Sequence, residues 1–128
     1  MDLALMGAPE TPGPLRWQVL YHDRFVLMAR HDHPALARPI SMEDFLRLPQ
    51  ALVSPRAEGF AGPVDAVLER QGLSRRVAVM VTNFMSLLSI LAESDLVAAV
   101  QRNALLSFHQ FGPFAVTKRC PSTCPATR

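Results

Sequence analysis

Three groups of side chains in this 128-residue chain have types and spacings that could do chemistry. His31 and His33 fall at i and i+2, so on an extended strand they share a face and could converge on a metal, with His22 upstream. No cysteine or carboxylate at ligand spacing completes that set, and His33 precedes Pro34 in a turn. A solvated strand end is therefore expected, and no metal. Cys120 and Cys124 have the spacing of a zinc pair, but a structural site needs four ligands and the chain holds no second pair. They are expected to be exposed thiols. Ser54, Ser86 or Ser89 with His22 or His109 would supply a nucleophile and a base. None of these serines sits in a Gly-x-Ser-x-Gly elbow, no phosphate-cradling glycine loop follows a strand, and no paired carboxylates offer acid–base work. Neither an enzyme nor a cofactor is expected.

Binding is the chemistry that remains. In open α/β sheets, ligands sit outside the carboxyl ends of strands, near helix starts whose free amides favour anions. Val53-Ser54 leading to Phe60-Ala61-Gly62 is one such place, and Val81-Thr82-Asn83 leading to Phe84 is a second. Ser54, Thr82 and Asn83 supply short polar groups, and Phe60 and Phe84 supply aromatic walls. Ala61 and Gly62 complete the first turn. The mixture suits a small organic anion such as an aromatic carboxylate. The competing reading is structural: Thr82 and Asn83 cap a helix and Phe84 is core. For Phe84 the core reading is the stronger; for Asn83 the two stand equal.

The elements that must position these residues follow from pattern. Asp2–Leu5 reads as a short strand, and the Pro/Gly-rich stretch 7–14 as a loop. Trp17 to His31 reads as two strand segments or one long bent strand, its second part (Phe25 to Met28) buried on both faces. Ser41 caps a short helix carrying Glu43 and Asp44 in its first turn, and Pro49 stops it. Ala51–Val53 is a buried strand. A helix over Gly62–Gln71 has Val64, Val67 and Leu68 on one side, with Pro63 at its start and Gly72 at its end. Val77–Val81 is the clearest strand. Thr82 or Asn83 then caps a helix with the stripe Phe84, Leu87, Leu88 and Leu91, and Leu96–Val100 returns as a strand. Ala104–Phe108 reads as a short helix and Phe111–Val116 as a strand. Strands alternating with helices over short connections predict an α/β layer structure with a mixed, largely parallel sheet and flanking helices.

Composition sets the outer limits. The chain has the length of one domain, and 49% apolar against 19% charged residues argues against wholesale disorder. No apolar run approaches the ~20 residues that cross a bilayer, and no basic residue precedes the short apolar start. Lys118, Arg119 and Arg128 lie in the tail, so residues 1–111 hold 10 arginines against 11 acids. A nearly neutral body is not a nucleic-acid face. Both cysteines lie in the tail, so no disulfide organises the core, and a cytoplasmic location is expected.

The order of segments resembles the effector-binding domain of LysR-type transcriptional regulators. The resemblance runs through Asp2-Leu3-Ala4-Leu5, Leu20-Tyr21-His22-Asp23-Arg24-Phe25-Val26-Leu27 and Arg30-His31-Asp32-His33-Pro34. It continues through Ile40-Ser41-Met42-Glu43-Asp44-Phe45, Val64-Asp65-Ala66-Val67-Leu68-Glu69-Arg70-Gln71-Gly72, Arg75-Arg76-Val77 and Ser94-Asp95-Leu96-Val97-Ala98. It covers roughly residues 1–105 and is nearest to the branch that senses aromatic compounds, the nodulation and naphthalene-degradation regulators. Departures are Met6 before Gly7, Val100-Gln101 where the family often has Val-Pro, and the tail from Lys118.

The resemblance implies a periplasmic-binding-protein type II-like fold of two α/β lobes with an inducer in the cleft. It assigns 1–19 to a remnant of the first effector lobe and crossover, and 20–101 to the second lobe. It makes 102–116 a return segment toward the first lobe, and 117–128 is expected to be a disordered tail. The lobe set is thus expected to be incomplete. The partners implied are a small aromatic inducer, promoter DNA only through a helix-turn-helix domain missing here, and a second copy of the chain, with no membrane. Phe60-Ala61-Gly62 and Asn83 correspond to inducer-facing positions. A free-standing solute-binding protein, or a remnant without function, is the alternative.

Overall fold

The computed structural model describes residues 13–14, 16, 18–54, 59, 62–108, 114–117 and 126–127. Phe25 to Ala29 are five successive buried residues, and a strand buried on both faces has to be an interior one. Strand β1 (Asp23–Arg30) is flanked on one edge by β4 (Ala98–Gln101) and on the other by β5 (Phe114–Val116), both antiparallel. Leu27 stands opposite Ala99, and Ala29 opposite Ala115. Thr117 extends the second ladder: its N–H donates to the Leu27 carbonyl, and its Oγ1 accepts the Leu27 N–H, both at 2.9 Å. Strand β6 (Ala126–Thr127) pairs with Asp23 and Arg24, within the tail expected to be disordered.

Strand structure in this first region is shorter than the sequence pattern. Val19, Leu20 and Tyr21 are exposed and lie outside any strand. The ladder with β4 ends where Phe25 meets Gln101, because the chain turns at Arg102 into helix α4 (Arg102–Phe108). Residues 19–21 have β-favouring side chains but pair with no strand among the described residues, and a lone extended segment has no stability of its own.

Parallel pairing surrounds β2 (Gln50–Val53). It pairs with β3 (Val77–Val81), Leu52 opposite Met80 and Val53 opposite Val81. On its other side an isolated parallel bridge joins Gln50 to Val97, just before β4, with the Ala51 N–H donating to the Val97 carbonyl at 2.9 Å. The expected mixed pairing is therefore present as two sheets joined by that bridge, parallel around β2 and antiparallel around β1. The chain passes from β2 to β3 through α2 (Pro63–Arg70), and from β3 back past β2 to β4 through α3 (Phe84–Ala92). Right-handed crossovers stepping in opposite directions must lie on opposite faces.

The two cores show that they do. Alternate residues of β1 point to opposite sides. Val26 and Met28 join Ala51, Val81, Ala98 and Val100 beneath Leu87, Leu88 and Leu91 of α3. Phe25, Leu27 and Ala29 join Val97 beneath Val64 and Leu68 of α2 and Phe45 of α1 (Met42–Arg47). A fully buried leucine contributes about 1.5–3 kcal/mol, against about 1 kcal/mol for a helix cap. The apolar stripe thus chooses the face a helix covers, and the cap chooses where it starts.

Those caps match the sequence signals. Ser41 Oγ accepts the Asp44 N–H at 3.2 Å to open α1. Gly72, at φ 70°, closes α2 as a Schellman turn: the Leu73 N–H reaches the Leu68 carbonyl and the Gly72 N–H that of Glu69. Of Thr82 and Asn83, it is Asn83 that caps α3. A 3-10 turn, Pro34–Leu36, follows β1 and has no counterpart in the expected elements.

Candidate functional site

Because β2 and β3 run parallel in register, their carboxyl ends lie side by side. The Ser54 N–H donates to the Val81 carbonyl at 2.8 Å, carrying the ladder one residue past Val53. Ser54, half-buried, thus neighbours the β3 exit, where exposed Thr82 and Asn83 follow. Helix α2 runs back toward the amino end of β3, and its N-cap, Gly62, lies against β2. A Cβ placed on Gly62 would come within 3.0 Å of Leu52 Cδ1, and that close approach suits glycine. Ser54, Thr82 and Asn83 therefore share one edge of the sheet, while Gly62 lies against the Leu52 side chain, two residues before Ser54. Helices α2 and α3 lie on opposite faces of the sheet. Phe60 and Ala61 lie outside the described residues. Phe84 is half-buried and packs against the core beneath α3, as its structural reading requires.

Asn83 uses its side chain as a cap: Oδ1 accepts the Ser86 N–H at 2.8 Å. The start of α2 is held differently, by Asp65 in its first turn. Asp65 Oδ2 accepts the Gly62 N–H at 2.7 Å and an Arg75 Nη2–H at 2.7 Å, and Oδ1 accepts the Arg75 Nε–H at 2.9 Å. Arg75 Nη1 donates to Gln50 Oε1 at 3.0 Å, and Gln50 Nε2 donates to the Phe45 carbonyl at 2.7 Å. Gln50 is fully buried, and the Arg75 side chain is 2% exposed against 20% for Asp65. Burial by itself pushes the Asp65 carboxyl up, but the Arg75 hydrogen bonds and charge, with the Gly62 amide, hold it below the ordinary aspartate range.

A second ionic cluster sits at the far end of β1. Arg30 donates to Asp95 through Nε and Nη2, at 3.1 and 2.6 Å, and to Asp32 through Nη1. Its hydrogen bonds and charge hold the Asp95 and Asp32 carboxyls below their ordinary range. His33 corrects the expectation of a solvated strand end. It is 5% exposed; its Nδ1 accepts the Ala35 N–H at 3.1 Å and its Nε2 donates to the Asp95 carbonyl at 2.7 Å. A carbonyl only accepts, so the ring proton is on Nε2. His31 is exposed. His33 thus ties the 3-10 turn to the α3–β4 connection.

Among the described residues no cluster of three metal-ligating side chains occurs, and no hydrogen bond joins a serine to a histidine. Cys120, Cys124 and His109 lie outside them. No helix among them is long and apolar enough to cross a membrane. An open concavity between the 3-10 turn and α1, lined by Pro34, Arg38, Pro39, Arg47 and Leu48, lies away from the β2–β3 edge. Sequence reasoning missed Gln50, Asp65 and Arg75. Asp65 carried a usable signal, an acid three residues into a helix beginning at Gly62. Arg75 and Gln50 carried none, since both join the network only through packing of elements distant in sequence.

Comparison with known proteins places the whole arrangement. The family model of the LysR substrate binding domain matches residues 1–118. The chain is 37% identical over 113 residues to the HTH-type transcriptional activator NagR of Ralstonia sp, covering 88% of this chain and 37% of that protein. It is 29% identical over 100 residues to the HTH-type transcriptional activator NahR of Pseudomonas putida, covering 78% and 33%. The chain thus spans about a third of the length of these relatives. Among solved structures, the probable transcriptional regulator PA0477 of Pseudomonas aeruginosa superposes with a TM-score of 0.79 at 28% identity, covering 93% of this chain and 39% of that one. With a family model matched over nearly its full length, and with sheet, helices and helix starts in the expected order, this chain belongs to the LysR substrate-binding domains and has their periplasmic-binding-protein type II-like α/β fold.

Proposed function

We propose that this chain is the effector-sensing part of a cytoplasmic LysR-type transcription regulator. It takes a small aromatic carboxylate at the carboxyl edge of β2 and β3. Ser54, Thr82 and Asn83 supply polar contacts, Gly62 admits close backbone approach, and the apolar wall is assigned to Phe60 and Ala61, with Phe84 contributing only the part of its ring that the core leaves uncovered. DNA contact belongs to a helix-turn-helix carried elsewhere in the regulator, and the regulator works as a homo-oligomer. The observation that carries this reading is the Ser54–Val81 hydrogen bond. It sets the ends of two parallel strands level, with their onward helices on opposite faces, which is the strand arrangement that opens a ligand crevice. The named relatives, both helix-turn-helix transcriptional activators, support the regulatory half.

Thermal shift and calorimetry with salicylate-like and flavonoid-like compounds test it. A saturable rise in Tm, with affinity reduced roughly tenfold in Thr82→Val, is expected. Flat melting curves across the panel overturn the effector reading. A mobility-shift assay with the isolated chain is expected to show no sequence-specific DNA binding.

A further inference from the structure

The buried chain of contacts from Phe45 to Gly62 reaches one residue assigned to the ligand, Gly62 itself, and does so through its backbone amide. It links four separate elements: the Phe45 carbonyl of α1, Gln50 at the head of β2, Arg75 in the α2–β3 connection and Asp65 of α2. Its last bond is the Asp65 acceptance of the Gly62 N–H. A second tie anchors its middle, where the Gln50 N–H donates to the Arg76 carbonyl at 2.9 Å.

Hydrogen bonding alone does not require this arrangement. Any polar cap would satisfy an exposed helix-start amide, as Asn83 does for α3 at no cost of burial. Here a guanidinium is instead almost wholly withdrawn from water, at a desolvation cost of several kcal/mol that excellent geometry has to offset. Both Asp65 oxygens and three Arg75 nitrogens are occupied. Such a network specifies one placement of the elements it joins, because a half-satisfied version is worse than none.

Resting on the effector reading above, we infer that Asp65, Arg75 and Gln50 are positioning residues for the effector site. They set the position of the Gly62 end of α2 against β2, and so set effector affinity without touching the effector. Leu52 bounds this placement on one side, since a Cβ at Gly62 would come within 3.0 Å of Leu52 Cδ1. Loss of the Asp65 charge weakens its hold on Arg75 and on the Gly62 amide and loosens that end of the helix, while the β1–β4 ladder, joined through neither residue, keeps its protection.

Two variants, Asp65→Asn and Arg75→Lys, test this with two readouts taken well below their melting temperatures. Backbone amide exchange by NMR is expected to speed up roughly tenfold or more at Gly62 and stay unchanged at Leu27 and Val100. Salicylate affinity, measured by calorimetry on the same folded samples, is expected to fall roughly tenfold. A purely structural ion pair would lower Tm and leave both readouts at their wild-type values. Unchanged Gly62 exchange in either folded variant, or unchanged salicylate affinity beside wild-type binding, overturns the inference. Should one variant fail to fold, the other carries the test. Failure of wild-type protein to bind any probe overturns the effector reading instead, and Gly62 exchange then decides the placement role.

Discussion

Helices α2 and α3 follow neighbouring strands, cover opposite faces of the sheet, and are held in opposite ways. Asn83 caps α3 from the surface, with one neutral hydrogen bond formed inside its own first turn. The start of α2 is held from below, through an ion pair reaching a residue ten positions away and then two further elements. A local cap can fray and re-form without disturbing anything else. A buried network cannot, because each member leaves an uncompensated partner when it goes. The start of α2 is therefore the more rigidly held of the two, and the start of α3 the more adaptable.

Arg75→Met probes this contrast most severely. It strands the Asp65 carboxylate and Gln50 Oε1 together, and is expected to cost about 3 kcal/mol, lowering Tm by about 10 °C in thermal denaturation. A cost below about 1 kcal/mol would reduce the network to a surface pair. Acid acts in the same direction. The Asp65 carboxyl is depressed, so its stabilisation is fully present above its ordinary value of 3.8 and is lost as pH falls through its folded value. Chemical denaturation between pH 6 and pH 3 is expected to show stability falling below that value, and less steeply in Asp65→Asn.

Asn83→Ala is expected to cost about 1 kcal/mol, read from the shift in denaturant midpoint, with faster exchange confined to the first turn of α3. The smallest effect belongs to Arg30→Gln. Its two carboxylate partners are well exposed, so only a small drop in Tm is expected, one that vanishes in roughly 1 M salt. An Arg30 effect as large as that of Arg75 would erase the distinction between buried and exposed pairs on which the comparison stands.

Much of the fold was legible in the sequence for local reasons. Ser41, Gly72 and Asn83 have side chains, or a lack of one, that act within a single turn, and the stripes on α2 and α3 repeat at helical spacing. Helix and strand boundaries were less legible where pairing decides them. Val19, Leu20 and Tyr21 favour strand by type, but β4 has already turned into α4 beside them. His33 was misplaced for the same reason: its burial comes from the Asp95 carbonyl, 62 residues away.

The candidate site divides along the same line. The amino-acid order alone determined that polar residues follow two buried strands and precede two helices, since strand ends and helix starts are written in neighbouring residues. Only the tertiary structure decided that β2 lies between β3 and the approach to β4, that α2 and α3 cover opposite faces, and that Arg75 reaches Asp65 and Gln50. Propensity and capping act over a few residues. Sheet order, crossover side and buried pairing depend on contacts between segments tens of residues apart, which take shape only when the whole core closes.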